Sequence, residues 1–165
     1  MSTTTSTPAA LTAQGLSERE LAAWHGLLRS HAFLVKRLDA ELEQACGLPL
    51  TSLEVLRHLQ CANGGRMRMC DLACSVMLSR SGLTRLVDRL ERDGLLCRLS
   101  CDHDARGSYA SLTDAGRARL ESACETYLRL VRELFLSRFD ATEQRELVGF
   151  WERIAPAAGG PCGCD

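Results

Sequence analysis

The sequence predicts a mainly α fold that carries one small β-hairpin. Three observations lead there: apolar residues at heptad spacing through the first third, a capped helix with a single apolar stripe near the middle, and a strand–turn–strand pattern directly after it. At 165 residues the chain is one domain of ordinary size. Hydrophobic residues make up 45% and charged residues 25%, the balance of a soluble globular protein with a real core.

Residues 1–16 are rich in Ser, Thr, Ala and Pro without a period and read as a disordered lead. Structure begins at Ser17, where Ser17-Glu-Arg-Glu20 has the form of a capping box. Leu21, Trp24, Leu28, His31, Val35, Leu38, Leu42 and Ala45 then recur three and four residues apart, a heptad seam in which only His31 is polar. A helix over 18–46 is about 43 Å long at 1.5 Å per residue, more than a compact domain needs, so its stripe calls for a partner. Gly47 and Pro49 end it. Thr51-Ser-Leu-Glu54 repeats the capping-box form and opens a short helix with Leu53, Leu56 and Leu59 inward, stopped at Asn63-Gly64-Gly65.

Residues 66–68 read as a short extended piece and 69–76 as a brief helix. Ser79 is an N-cap, and Leu83, Leu86, Val87 and Leu90 follow at helical spacing. At 100° per residue the opposite face carries Ser81, Thr84, Arg85, Asp88 and Arg92, and Gly94 stops the helix. Residues 95–101 then read as a strand, 102–107 as a polar turn and 108–112 as a returning strand. Thr113 caps a long helix with Leu120, Cys124, Tyr127, Val131 and Leu134 on one stripe, and Asp140 or Thr142 caps a last helix through Trp151. Residues 155–165 form a flexible tail with Cys162 and Cys164.

Charge excludes a uniformly basic wrapper of nucleic acid, since 20 basic residues meet 21 acidic ones. Its distribution is more telling. From Arg57 to Arg98 there are eight Arg and four acids, a local +4 in a chain of −1. No apolar run approaches the roughly 20 residues of a membrane helix. The first residues lack the positive start and apolar block of a secretion signal, which places the protein in the cytoplasm. Gly-rich phosphate loops, His-Glu-x-x-His and Gly-x-Ser-x-Gly are absent, so nothing marks an enzyme.

Two short helices, the second with an apolar inner stripe and a hydroxyl- and guanidinium-bearing outer face, followed at once by a hairpin, describe a winged helix-turn-helix lobe between helical dimerisation regions at about 17–46 and 113–154. The lobe spans about 51–112. Double-stranded DNA is the partner this chemistry suits. Ser79, Ser81 and Thr84 offer hydroxyls to phosphates at a helix start, and Arg80 and Arg85 can take guanine edges bidentately. In the wing, Arg106 can enter a narrow minor groove while Asp104 braces its guanidinium.

The combination resembles the MarR family of bacterial transcription regulators from about Ser17 to Ile154. It is carried by Met69-Cys-Asp-Leu-Ala73, by Ser79-Arg-Ser-Gly-Leu-Thr-Arg-Leu-Val-Asp-Arg-Leu-Glu-Arg-Asp-Gly94, by Asp104-Ala-Arg106-Gly and by Leu112-Thr-Asp-Ala-Gly116. The resemblance implies a homodimer joined through its terminal helices. It implies binding to a pseudo-palindromic operator, usually repression, and release on meeting a small-molecule effector or oxidant. The unpartnered stripe of the first helix independently asks for a two-fold partner. Two departures stand out: Ala105 occupies a wing position where the family has a second basic residue, and the Cys near the start of the first helix that marks the peroxide-sensing branch is missing.

Trp24 and His31 are either packed in core or interface, or line the cleft in which family members hold small aromatic acids. Nine cysteines raise a second possibility, a thiol- or soft-metal-responsive repressor. Cys70 and Cys74 stand i, i+4 on one helix, and Cys162 and Cys164 are close enough to clamp a soft ion, although no four-ligand spacing exists. No cofactor is called for otherwise. A helical adaptor without DNA binding is the remaining class, and it leaves the polar face of 81–92 without a purpose.

Overall fold

The computed structural model describes residues 15–101 and 104–154, with side chains described outside 100–107. The chain divides between Arg37 and Leu38 into two compact units. A single helix, α1 (Glu18–Cys46), runs through that point.

In the first unit the capping box forms as the sequence predicts. Glu20 N–H donates to Ser17 Oγ at 3.3 Å, while Ser17 N–H and Oγ–H donate to Glu20 Oε2 at 2.8 and 2.6 Å. Those donors favour the ionised carboxylate, the Ser17 hydroxyl most of all, and hold Glu20 below its ordinary pKa. Of the heptad positions up to Arg37, Leu21 is buried, whereas Trp24, Leu28 and Val35 are exposed.

The second unit comprises α2 (Leu50–Cys61), β1 (Arg66–Arg68), α3 (Met69–Ser75), α4 (Arg80–Arg92), β2 (Leu96–Cys101), β3 (Asp104–Leu112), α5 (Asp114–Leu134) and α6 (Ala141–Ile154), together with the last turns of α1. Leucines from each helix up to α5 converge on one core: Leu42, Leu53, Leu56, Leu59, Leu72, Leu83, Leu90, Leu96 and Leu120 are almost wholly buried. Each such side chain contributes roughly 1.5–3 kcal/mol by leaving water.

The start of α2 departs from the sequence reading. Thr51 does not cap it; Pro49, which lacks an N–H and sits at φ −55°, occupies the cap position, and no side chain of its own closes the turn. The exposed donor is satisfied from α1 instead, where Asp39 Oδ1 accepts the Leu50 N–H at 2.9 Å. Ser52 consequently lies inside the helix, 1% exposed, the one buried polar side chain among the described residues.

The second strand of the hairpin is longer than expected. β3 begins at Asp104 rather than at 108, because backbone pairing continues out to Cys101↔Asp104, past an irregularity at Ser100/Cys101. The short extended piece 66–68 joins as a third strand, giving the antiparallel order β1-β3-β2 with Met67 opposite Ala110. Alternation sends Ala110 and Leu112 into the core and leaves Tyr109 on the outer face.

Caps at the remaining helices follow the sequence. Ser79 Oγ accepts the Gly82 N–H at 3.1 Å and Thr113 Oγ1 accepts the Gly116 N–H at 3.0 Å. Asp140, not Thr142, caps α6, its Oδ1 accepting from Thr142 and Glu143 at 2.7 and 2.9 Å, with Glu143 reaching back to the Asp140 N–H. Between α5 and α6 the rings of Phe135 and Phe139 meet edge to face at 5.1 Å, and Gln144 Nε2 donates to the Leu136 and Phe139 carbonyls.

Candidate nucleic-acid interface

Helix α4 is seated by one stripe. Leu83, Leu86, Val87 and Leu90 are buried, and this leaves Ser81, Thr84, Arg85 and Arg92 exposed on the other side. Ser79 at the cap and Arg80 at the first helical position are exposed too. Among the described residues, the guanidiniums of Arg80 and Arg85 are held by no ion pair or hydrogen bond, which leaves their donors available to an anion or a base edge. The Thr84 hydroxyl donates to the Arg80 carbonyl at 2.9 Å, and Ser79 and Ser81 stand 3.3 Å apart at the helix start.

Asp88, which helical spacing puts on the same face, is committed elsewhere. Arg98 of β2 donates through Nη2 to Asp88 Oδ1 and through Nη1 to Glu91 Oε2 at 2.8 Å, and its backbone N–H donates to Glu91 Oε1 at 2.9 Å. This clamp fastens the wing to α4 and offsets part of the charge of two carboxylates beside the exposed arginines. On the inner flank Arg89 Nη2 donates to the buried Ser52 Oγ at 2.9 Å, tying α4 to α2. Neither contact was legible beforehand. Periodicity put Asp88 on the polar face without showing its partner, Glu91 and Arg98 showed only as charges in a net count, and no spacing links Ser52 to a partner 37 positions away.

The outer face of the sheet carries a second cationic group. The guanidiniums of Arg66 and Arg68 lie 5.8 and 5.7 Å from the Tyr109 ring centre, and Arg68 Nε donates to the Tyr109 hydroxyl at 3.1 Å. A cavity of about 720 Å³ opens elsewhere in the unit, between Pro49 and Ser52 of the α2 start, Arg89 and Asp93 at the end of α4, and Ala118 and Arg119 of α5.

The remaining sequence candidates distribute as follows. Asp104 and Arg106 lie on the β3 backbone, but their side chains fall outside the described residues, as do Cys162 and Cys164 altogether. Trp24 is 53% exposed and His31 is also exposed; neither lines the cavity above. Cys70 is half-buried, with its thiol 3.6 Å from Asp71 Oδ1, whereas Cys74, exposed on the same helix, is disulfide-bonded, so the expected pair does not stand as two free thiols. Among the described residues no three His, Cys, Asp or Glu side chains gather as a metal site would require.

A short helix, a turn and an exposed polar helix braced on a hairpin define a winged helix-turn-helix regulator. Comparison with known proteins agrees. The MarR family model matches residues 48–108. The chain is 31% identical to AbsC, a MarR family transcriptional regulator from Streptomyces coelicolor, with a TM-score of 0.79, covering 85% of this chain and 94% of that one. It is 29% identical to Sco3205, a MarR family transcriptional regulator of the same organism solved in complex with DNA, at a TM-score of 0.81 and coverage of 85% and 88%. It is also 33% identical over 93 residues to the homoprotocatechuate degradative operon repressor of Escherichia coli, 56% of this chain and 62% of that repressor. The chain belongs to the MarR family. A helical adaptor role is not favoured by this membership.

Proposed function

We propose that the protein is a homodimeric repressor that binds a pseudo-palindromic operator through α4 and the wing and is released by a small-molecule effector. One observation carries the reading: α4 presents uncommitted Arg80 and Arg85 beside the hydroxyls of Ser81 and Thr84, on a helix pinned by four buried apolar residues and two polar ties. A preorganised, cationic helix of this size fits a major groove, where bidentate arginine contacts discriminate guanine. Sco3205, of similar fold, is a DNA complex.

The dimer is supported by what each terminal segment leaves uncovered. Trp24, Leu28, Phe33 and Val35 on α1, and Val148, Phe150, Trp151 and Ile154 on α6, are 40–69% exposed. Large apolar side chains concentrated in this way mark surfaces that pair. An effector has room in the 720 Å³ cavity, where Arg89 and Arg119 stand with Glu43 and Asp93 and suit a polar ligand, and whose Arg89 also belongs to α4. A ligand there touches the helix whose position decides DNA affinity, which is the differential contact that release requires. The thiol or soft-metal alternative would engage Cys162 and Cys164, or Cys70 and Cys74 once the disulfide that holds Cys74 is reduced, and zinc, copper(I) and arsenite belong in the same effector screen.

The deciding measurement is binding to the DNA upstream of the protein's own gene, followed by fluorescence anisotropy. Arg85→Ala is expected to weaken it by about 1–3 kcal/mol and to relax sequence preference, while Arg106→Ala lowers affinity evenly across sequences. Wild-type affinity in both variants at physiological salt would refute the groove assignment.

A further inference from the structure

Two helices of this chain end with the same hydrogen-bond pattern. After α4, the Gly94 N–H donates to the Glu91 carbonyl at 3.0 Å and the Leu95 N–H to the Leu90 carbonyl at 2.9 Å. After α3, the Met77 N–H donates to the Cys74 carbonyl at 3.2 Å and the Leu78 N–H to the Ala73 carbonyl at 3.0 Å. This closure forces the residue just past the helix into the left-handed region, where a Cβ is crowded and glycine is favoured. Gly94 meets the demand at φ +72°. In the turn of the helix-turn-helix the same place is held by Met77 at φ +53°, the one non-glycine residue with positive φ among the described residues.

Met77 is also 94% exposed, more than any other large hydrophobic side chain described. It is therefore disfavoured twice in the unbound chain, by its backbone, which the two closing hydrogen bonds hold in place, and by its solvation, which no contact within the chain relieves. A large apolar side chain held in full solvent at a position fixed by that closure points to an interaction made elsewhere. The position narrows what that interaction is. Met77 stands two residues before the Ser79 cap of α4, at the end of the helix that offers Arg80 and Ser81.

We propose that Met77 contacts a base directly: its thioether tip packs on the 5-methyl group of a thymine in the major groove, adding a preference for an A·T pair at one position of each half-site. The thymine methyl is the apolar feature that the major groove presents. An unbranched, polarizable thioether adapts to such a feature at little steric cost. The proposal rests on α4 lying in the groove.

The test uses duplexes enriched from a random-sequence pool by the full wild-type chain, with each thymine replaced in turn by uracil, which removes only the methyl. Wild type should lose about fourfold in affinity at one thymine per half-site, the equivalent of about 0.8 kcal/mol for one buried methyl. Met77→Gly and Met77→Gln should bind the thymine duplex about fourfold more weakly than wild type and show no response to uracil there. The salt dependence of binding should stay as in wild type, because no phosphate contact is removed. The urea midpoint of Met77→Gly should match or exceed wild type, since relief of the left-handed strain offsets the added chain entropy of glycine. A lowered midpoint would make Met77 a structural residue and overturn the proposal. So would variants that bind like wild type with an unchanged uracil profile. Arg85→Ala in the same assay separates the failures: if it too binds like wild type, α4 is not in the groove, whereas its loss beside an unaffected Met77→Gly sinks only the methionine contact.

Discussion

Replacing Gly116 by alanine is the sharpest test of how the wing is anchored. Gly116 is buried in the first turn of α5, and a Cβ built there lies 1.9 Å from the Leu95 carbonyl oxygen and 2.9 Å from Leu112 Cδ1. No rotamer relieves this, because the Cβ position is fixed by the backbone. Cβ contacts essentially never fall below 3.0 Å, so the first turn must retreat from Leu95 by at least 3.0 − 1.9 = 1.1 Å. That retreat strains the Thr113 hydroxyl bond to the Gly94 carbonyl at 2.7 Å and the longer Thr113 N–H contact to Leu95 at 3.3 Å. Overpacking costs about 1–3 kcal/mol and each of the two compromised hydrogen bonds about 1 kcal/mol, so Gly116→Ala should lose about 3–5 kcal/mol. A natural domain holds only about 5–15 kcal/mol in total. Urea unfolding at fixed protein concentration measures it, and with a slope of about 2 kcal/mol per molar the midpoint falls by roughly 1.5–2.5 M. Gly149→Ala in α6 is the matched control, since nothing lies within 4 Å of its added carbon. There the better helix propensity of alanine should add about 1 kcal/mol. A Gly116→Ala protein within about 1 kcal/mol of wild type would refute the steric reasoning, as would a loss of equal size at Gly149.

Arg98→Met should cost about 1–2 kcal/mol of stability, discounted because Arg98, Asp88 and Glu91 are 30%, 47% and 37% exposed. It should also weaken DNA binding by leaving two carboxylates uncompensated beside Arg85, and Asp88→Asn in the same chain should recover part of the affinity; anisotropy across a salt series reads both effects. Asp39→Ala should cost about 1 kcal/mol by exposing the Leu50 N–H, while Thr51→Ala leaves the urea midpoint in place. His58 is held below its ordinary 6.5, first by desolvation and then by Arg57, with Glu54 opposing. The folded state therefore resists protonation, so its contribution is present above 6.5 and is lost as pH falls below that value. His58→Gln should flatten the decline of the melting temperature in that range.

Where local chemistry decides an element, the sequence was sufficient. Ser17 with Glu20, Ser79 before an apolar stripe and Thr113 before Asp114 each place a cap within three residues of its donor, and all three formed. Thr51 failed for a related reason: its box had the right letters, but Pro49 already set the helix start, and the missing acceptor came from Asp39, 11 residues upstream. The polar face of α4 was legible from 100° periodicity, yet its occupancy was not. Periodicity cannot show that Asp88 turns aside to Arg98, a residue on a strand that follows a turn, nor that Ser52 meets Arg89 across the core. The wing was misjudged in length because Asp104 and Arg106 read as turn residues by composition, whereas cross-strand pairing carried the strand out to Asp104.

The two polar ties on α4 grip it from opposite flanks, Arg89 on Ser52 and Arg98 on Asp88 with Glu91. Together they stop the helix from rolling about its own axis. A side-chain tip about 6 Å from that axis travels roughly 3 Å in a 30° roll, close to the 3.4 Å that separates successive base pairs. Oil-like leucine contacts alone would tolerate part of such a roll; directional bonds do not. What these ties secure is phase: which rung of the duplex each arginine addresses.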